Sequence, residues 1–285
     1  MPPFRQNPAE KRLRASTRAA LDCLAEESMQ DEHVHAARTA LKHARADLRL
    51  LRPSLWRTDY ATANAAWRDA GRMLSPLRDA RAQLAMLERV APDLPINGEL
   101  LAHVSAALHR DLIEQRAAVA DRRVHRRCTR LIESGDAHVL RKGAAQANGD
   151  TLRDGLRAIY RKARNAWRQA CRRRTLRELH ECRKQLKYLR NAAATLHEAG
   201  LRGLGKTMSR AKRIVDWLGE EHDLAVLCAT LQRHGRSRDI VDSLALLERL
   251  RAGLAARACD AGTKLFENKP KDFIPPRRSF ARFDR

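Results

Sequence analysis

Aromatic residues make up 4% of the sequence, and no uncharged apolar run approaches the ~20 residues needed to cross a bilayer. The first residues, Met1-Pro2-Pro3-Phe4-Arg5, lack the apolar centre of a secretion signal. These shortages predict a soluble protein with few rings on which nucleic-acid bases could stack. Six cysteines (Cys23, Cys128, Cys171, Cys182, Cys228, Cys259) are scattered without a CxxC or other short pairing. That spacing suits free thiols in a reducing, cytoplasmic compartment better than a disulfide framework or a zinc site. Acidic residues are scarce beside basic ones, 34 Asp+Glu against 57 Lys+Arg, for a formal net charge of +23. Such a field attracts polyanions.

Arginine supplies most of the positive charge, and its planar fork grips phosphate oxygens in pairs without losing its proton. Part of the Arg and Ala excess is compositional bias of the kind that GC-rich coding produces, so the placement of the charge carries more than its amount. With 44% hydrophobic residues, the chain has enough apolar material for a core beneath a heavily solvated surface.

Between residues 8 and 265 Ala, Leu, Arg, Glu and Gln dominate, which favours helix almost throughout, and no segment alternates as a strand would. Pro53, Ser75-Pro76, Pro92 to Gly98, Gly135, Asn148-Gly149 and the Gly200 to Gly205 run mark breaks, giving nine or ten helices. The residues 266–285 form a basic C-terminal tail with Phe266, Phe273, Phe280 and Phe283, which either dock on the body or belong to a mobile arm.

An internal repeat organises the rest. His35, Arg38, Leu41, Lys42 and Arg45 recur at the same offsets as His180, Arg183, Leu186, Lys187 and Arg190. Downstream, Leu74-Ser-Pro-Leu-Arg-Asp79 answers Leu218-Gly-Glu-Glu-His-Asp223, each read as the start of a fresh helix. The expected organisation is a single domain over 1–285 built from two similar halves, 8–134 and 150–265, joined by a linker at 135–149.

Helical residues advance ~100° each, so offsets of 0, 3, 7 and 10 share one face. His35, Arg38, Lys42 and Arg45 form such a stripe, extended by Arg49 and Arg52, while Ala37, Leu41, Ala44 and Leu48 lie on an adjoining arc that can bury. His180, Arg183, Lys187 and Arg190 repeat the design, with Lys184 at the edge. Most basic stripes are simply solvated faces, but those mix signs to relieve self-repulsion, and no carboxylate occupies a stripe position here. A histidine heading each stripe adds a donor that charges further as an anion approaches. Further candidate contacts are Arg14, Arg18, Arg68, Arg72 and Arg78 in the first half, and Arg157, Arg161, Arg164, Lys206, Arg210, Lys212 and Arg213 in the second.

With this repeated His-Arg-Lys-Arg pattern the chain resembles the CHAD family, the conserved histidine α-helical domain. The resemblance implies an all-α fold of two related bundles of about four helices each, enclosing a basic central groove that binds inorganic polyphosphate. It carries the binding role to His35, Arg38, Lys42, Arg45, His180, Arg183, Lys187 and Arg190. Thr39 stands where the second half has Lys184, and the 97–134 segment has no counterpart. Many members of the family carry a triphosphate-processing partner domain, but no ExExK occurs here, so a stand-alone, non-catalytic binding module is expected. Polyphosphate granules are then a candidate location.

Three other readings compete. Gly200-Leu-Arg-Gly-Leu-Gly205-Lys206-Thr207 satisfies GxxxxGKT, but a phosphate loop needs a preceding strand, and a helical segment precedes it instead. His33, His35 and His43, or His180 with Cys182, lack the spacing that chelates a metal, so neither metal nor cofactor is expected. Glu220, Glu221 and Asp223 read as acidic residues favoured at a helix start. Non-specific binding of an RNA or DNA backbone is the serious rival, since any cationic groove attracts phosphodiesters.

Overall fold

The computed structural model describes residues 7–26, 30–140 and 146–284, with the side chain of Leu140 left out. Every regular element among them is helical. In chain order these are α1 (Pro8–Ala25), α2 (Asp31–Leu51), α3 (Arg57–Met73), α4 (Ser75–Val90), α5 (Gly98–Ala120), α6 (Arg122–Leu140), α7 (Gly149–Arg173), α8 (Leu176–Glu198), α9 (Gly205–Arg233), α10 (Arg238–Leu265) and the one-turn α11 (Pro270–Phe273).

Local chemistry sets many of the boundaries. Asn7, Asn97, Asn148, Thr175 and Ser237 accept hydrogen bonds from the exposed N–H groups of the helices they precede. After α8 the chain turns through Gly200 (φ 92°) and Gly203 (φ 88°), a left-handed backbone that glycine enters without a Cβ penalty. The GxxxxGKT stretch is therefore a helix–turn–helix, and no strand aims it at a nucleotide.

The halves resemble one another in their pairings, α1 against α2 and α7 against α8, and α2 packs on α7 and α8 to join them. One apolar core runs through both. Gly155 lets α7 approach the backbone of α2, since a Cβ there would lie 2.2 Å from the Leu50 carbonyl oxygen. The first half carries six helices rather than about four, because the unmatched 97–134 segment is α5 with most of α6.

Three expectations are corrected. Gly135 is not a linker glycine: it lies within α6, where its missing side chain makes room for the Trp67 indole, whose N–H donates to the Ile132 carbonyl at 3.2 Å. The segment Leu218 to Asp223 does not open a helix but sits midway along the unbroken α9. Only the first half restarts there, where Pro76 lacks the N–H that would continue α3 into α4. Finally, Cys171 and Cys259 form a disulfide between α7 and α10, while Cys23, Cys128, Cys182 and Cys228 are free. A pair 88 residues apart leaves no spacing signal, and it removes the thiol argument for a reducing compartment.

The tail docks. Phe266 and Phe280 are buried, Phe273 stacks on Tyr160 at 3.8 Å between ring centroids, and Arg164 donates to the Phe266 carbonyl at 3.1 Å. Arg282 closes the far end by donating to the Gly200 carbonyl at 2.7 Å. No helix among the described residues is long and apolar enough to cross a membrane.

Candidate polyanion-binding site

The stripes of α2 and α8 meet because the helices carrying them pack together at the junction of the halves. Their buried arcs do the anchoring: Leu41, Ala44 and Leu48 of α2, and Leu186, Leu189 and Ala193 of α8, are excluded from solvent. Behind them, Thr195 of α8 donates a hydrogen bond to Asp47 of α2 at 2.5 Å, and burial pushes the Asp47 carboxyl up to about 8. The basic faces are left along the opposite side, where two cavities adjoin.

The first cavity, about 840 Å³, is bordered by His35, Arg78, Arg81 and Arg89 from the first half and by Arg183, Lys187 and Arg190 from α8. The second, about 480 Å³, is bordered by Arg38, Lys42, Arg45 and Arg49 of α2, by Arg68 and Arg72 of α3, and by His180 and Lys184 of α8. Each histidine thus sits with the basic stripe of the other half. All nine stripe residues from His35 to Arg49 and from His180 to Arg190 border one cavity or the other.

Where the cavities adjoin, Arg38, Lys42, Arg78, Arg183 and Lys187 repel one another. Burial, reinforced by Arg38, Arg183 and Arg78, pushes Lys42 down to about 8. Burial, reinforced by Arg183, Lys42 and Arg190, pushes Lys187 down to about 7. Arg38 and Arg183 are likewise lowered, first by burial. Desolvation and the neighbouring cations also hold His35 and His180 below the ordinary histidine value.

Counter-charge at this centre is thin. Arg38 Nη2 lies 4.0 Å from Asp79 Oδ1, while its Nε and Nη1 are buried without a hydrogen-bond partner, as is Nε of Arg183. Buried donors left unsatisfied cost stability until an acceptor arrives, and the acceptors such a cluster favours are anionic oxygens. Gly219 makes room for Arg183, because a Cβ there would lie 3.0 Å from the guanidinium.

At the outer end of the second cavity Arg49 and Arg45 both share Asn64 Oδ1 at 3.2 Å, and Arg49 lies 3.6 Å over the buried Tyr188 ring. The guanidinium covers that ring, so it offers no free face to a base. The repeat gives no signal for Asn64, Tyr188, Arg81 or Arg89, because they lie outside both stripes or differ in nothing from ordinary helical residues. His222 carries a stronger signal: it occupies the register of Arg78 in the paired Leu-to-Asp segments, and its ring lies 5.3 Å from that of His180.

Among the further candidates, Arg68, Arg72 and Arg78 border the cavities, and the others do not. Arg14 pairs with Glu10 at 2.7 Å and Arg18 with Asp22 at 3.0 Å, both within α1. Arg157 lies 3.5 Å from Asp154, Arg164 holds the Phe266 carbonyl at the start of the tail, and Arg210 holds the Lys264 carbonyl in the last turn of α10. Lys212 pairs with Asp216 at 2.7 Å, and Arg161, Lys206 and Arg213 are exposed away from the cavities. Helical offset alone cannot distinguish a face turned to the groove from one turned to solvent or to the tail. The acidic residues of α9 also have other partners than a helix end: Glu221 is buried against Arg251 at 2.9 Å, and Glu220 meets Arg89 at 2.8 Å. No cluster of metal ligands occurs among the described residues.

The CHAD domain model matches residues 11–232, and the chain belongs to that family. PptA from Streptomyces chartreusis has a similar structure, with a TM-score of 0.66 at 15% identity over 92% of this chain and 98% of that one. The crystal structure of the CHAD domain from the plant Ricinus communis is also similar, with a TM-score of 0.61 at 18% identity over 92% and 91%. No curated protein matches the sequence.

Proposed function

We propose that this protein binds inorganic polyphosphate, without catalysis, along the joined faces of α2 and α8. One observation carries the reading: two cationic stripes converge on a centre whose buried arginine donors lack partners and whose lysines are driven down to about 8 and 7. An array of this kind gains most from a ligand that brings many anionic oxygens into a small space. Charge-assisted hydrogen bonds from Arg38, Lys42, Arg45, Arg49, His180, Arg183 and Lys187 would hold the chain, with His35 and Arg190 adding to the attractive field from the first cavity, and counterion release would make affinity fall steeply with salt.

Polyphosphate is favoured over RNA or DNA because Tyr188 is covered by Arg49 and Trp67 is fully buried, leaving neither ring of the second cavity free to stack a base, and a chain lacking bases fits between packed helices more readily. Membership of the CHAD family supports the same choice. The Arg38→Glu/Arg183→Glu double variant is expected to lose at least ~100-fold in affinity, as removal of two charged hydrogen-bonding centres implies, with its helical circular dichroism intact. Retained affinity in the folded variant would refute the two-stripe site.

A further inference from the structure

The two adjoining cavities differ sharply in charge. Seven Lys or Arg side chains and no carboxylate border the second. Six border the first, but so do five carboxylates: Asp31, Glu32, Asp216, Glu220 and Asp223. Formally the second cavity carries +7 and the first +1. Two cations of the first are also already engaged by its own carboxylates, Arg81 by Asp31 at 2.7 Å and Arg89 by Glu220 at 2.8 Å. Where cations of the second are engaged, their partners Asp69, Asp79 and Glu181 do not border that cavity, just as Arg116 and Lys212, which pair with Asp31 and Asp216, do not border the first.

A polyanion lying in the second cavity meets no carboxylate on its wall as far as the centre. Beyond the centre, each further phosphate would face carboxylate oxygens of its own sign, in a space walled partly by Val34, Leu77, Met86 and Val215. Like charges held together away from bulk water are costly. The centre is also suited to a chain terminus. A terminal phosphate has three non-bridging oxygens and takes a second negative charge near neutral pH, whereas an internal phosphate has two such oxygens and one charge. Arg38 Nε, Arg38 Nη1 and Arg183 Nε are three buried donor atoms without partners at that point.

We infer that the protein holds polyphosphate by its end: the chain lies along the second cavity, its terminal phosphate rests on Arg38 and Arg183, and the carboxylates of the first cavity stop it there. The inference rests on the polyphosphate reading and adds the part of the chain that is recognised.

The test is the number of proteins bound per chain, measured by sedimentation with the full-length protein in excess over linear polyphosphates of three defined lengths. End binding predicts no more than two proteins per chain at every length, and roughly tenfold weaker binding of a cyclic metaphosphate, which has no ends. A count that grows in proportion to length, or equal affinity for cyclic and linear forms, overturns the inference while leaving polyphosphate binding intact. Failure of every phosphate polymer to bind overturns the underlying reading as well. The Glu32→Gln/Asp216→Asn/Asp223→Asn variant separates the stop from the anchor: with the carboxylates gone the count should rise with length, and a count still fixed at two would contradict the role given to them.

Discussion

Lys42 and Lys187 are driven well below the ordinary lysine value by the fold, and this should make polyanion binding pH-dependent. In the free protein they titrate near 8 and 7, and a bound polyanion raises both values by supplying the missing counter-charge. Below about pH 6 both are largely charged before binding, so they add little pH dependence there. Above their free-state values each must take up a proton to bind, so affinity should fall from about pH 6 to 9, with net proton uptake detectable by calorimetry in buffers of different ionisation heat. The Lys42→Arg/Lys187→Arg variant keeps its charge across this range and should show a flatter profile. An equally steep decline in that variant would assign the pH dependence to other groups. The stripe positions of both lysines are legible from spacing alone, because a helix converts offsets into a face. Their depressed values are not, since these follow from α2 meeting α8, a contact between residues ~145 apart that periodicity does not encode.

At the scale of elements, close approach and cross-linking hold the stripes in register. Gly155→Ala would drive a methyl group into the Leu50 carbonyl and push α7 from α2, at a cost of about 1–3 kcal/mol in chemical denaturation. The Cys171–Cys259 disulfide closes a loop of 88 residues between α7 and α10. Replacing both cysteines by serine should lower stability by about 3–5 kcal/mol while leaving phosphate affinity unchanged, because neither residue borders the cavities. Free thiols at both positions in the non-reduced protein, measured by mass after alkylation, would contradict the pairing. Helix identity is readable over most of the chain from composition and caps. The two misplaced boundaries share a cause: Gly135 and Leu218 to Asp223 look like local punctuation, whereas one fits around Trp67 and the other makes room for Arg183 beside Gly219. Tertiary packing decides both positions, and a glycine does not reveal which use the fold makes of it.

For the whole molecule, a net charge of +23 strains the ligand-free state, and the strain is concentrated where two halves turn basic faces toward each other. Polyphosphate should therefore raise the melting temperature, with the gain shrinking as salt increases, and this can be followed by calorimetry at several ionic strengths. The paired stripes are visible in the amino-acid repeat itself, and the choice of polyphosphate as the proposed ligand leans on the family resemblance. The docked tail and the unequal cavities emerge only from the fold, since both depend on which basic residues turn toward the groove. The central claim is a preference for polyphosphate, and competition tests it most directly: protein loaded with labelled RNA is titrated with long-chain polyphosphate at matched phosphate concentration and fixed salt. Polyphosphate should displace the RNA well before equivalence, while RNA that holds its place, or displaces bound polyphosphate in the reverse titration, would contradict the account.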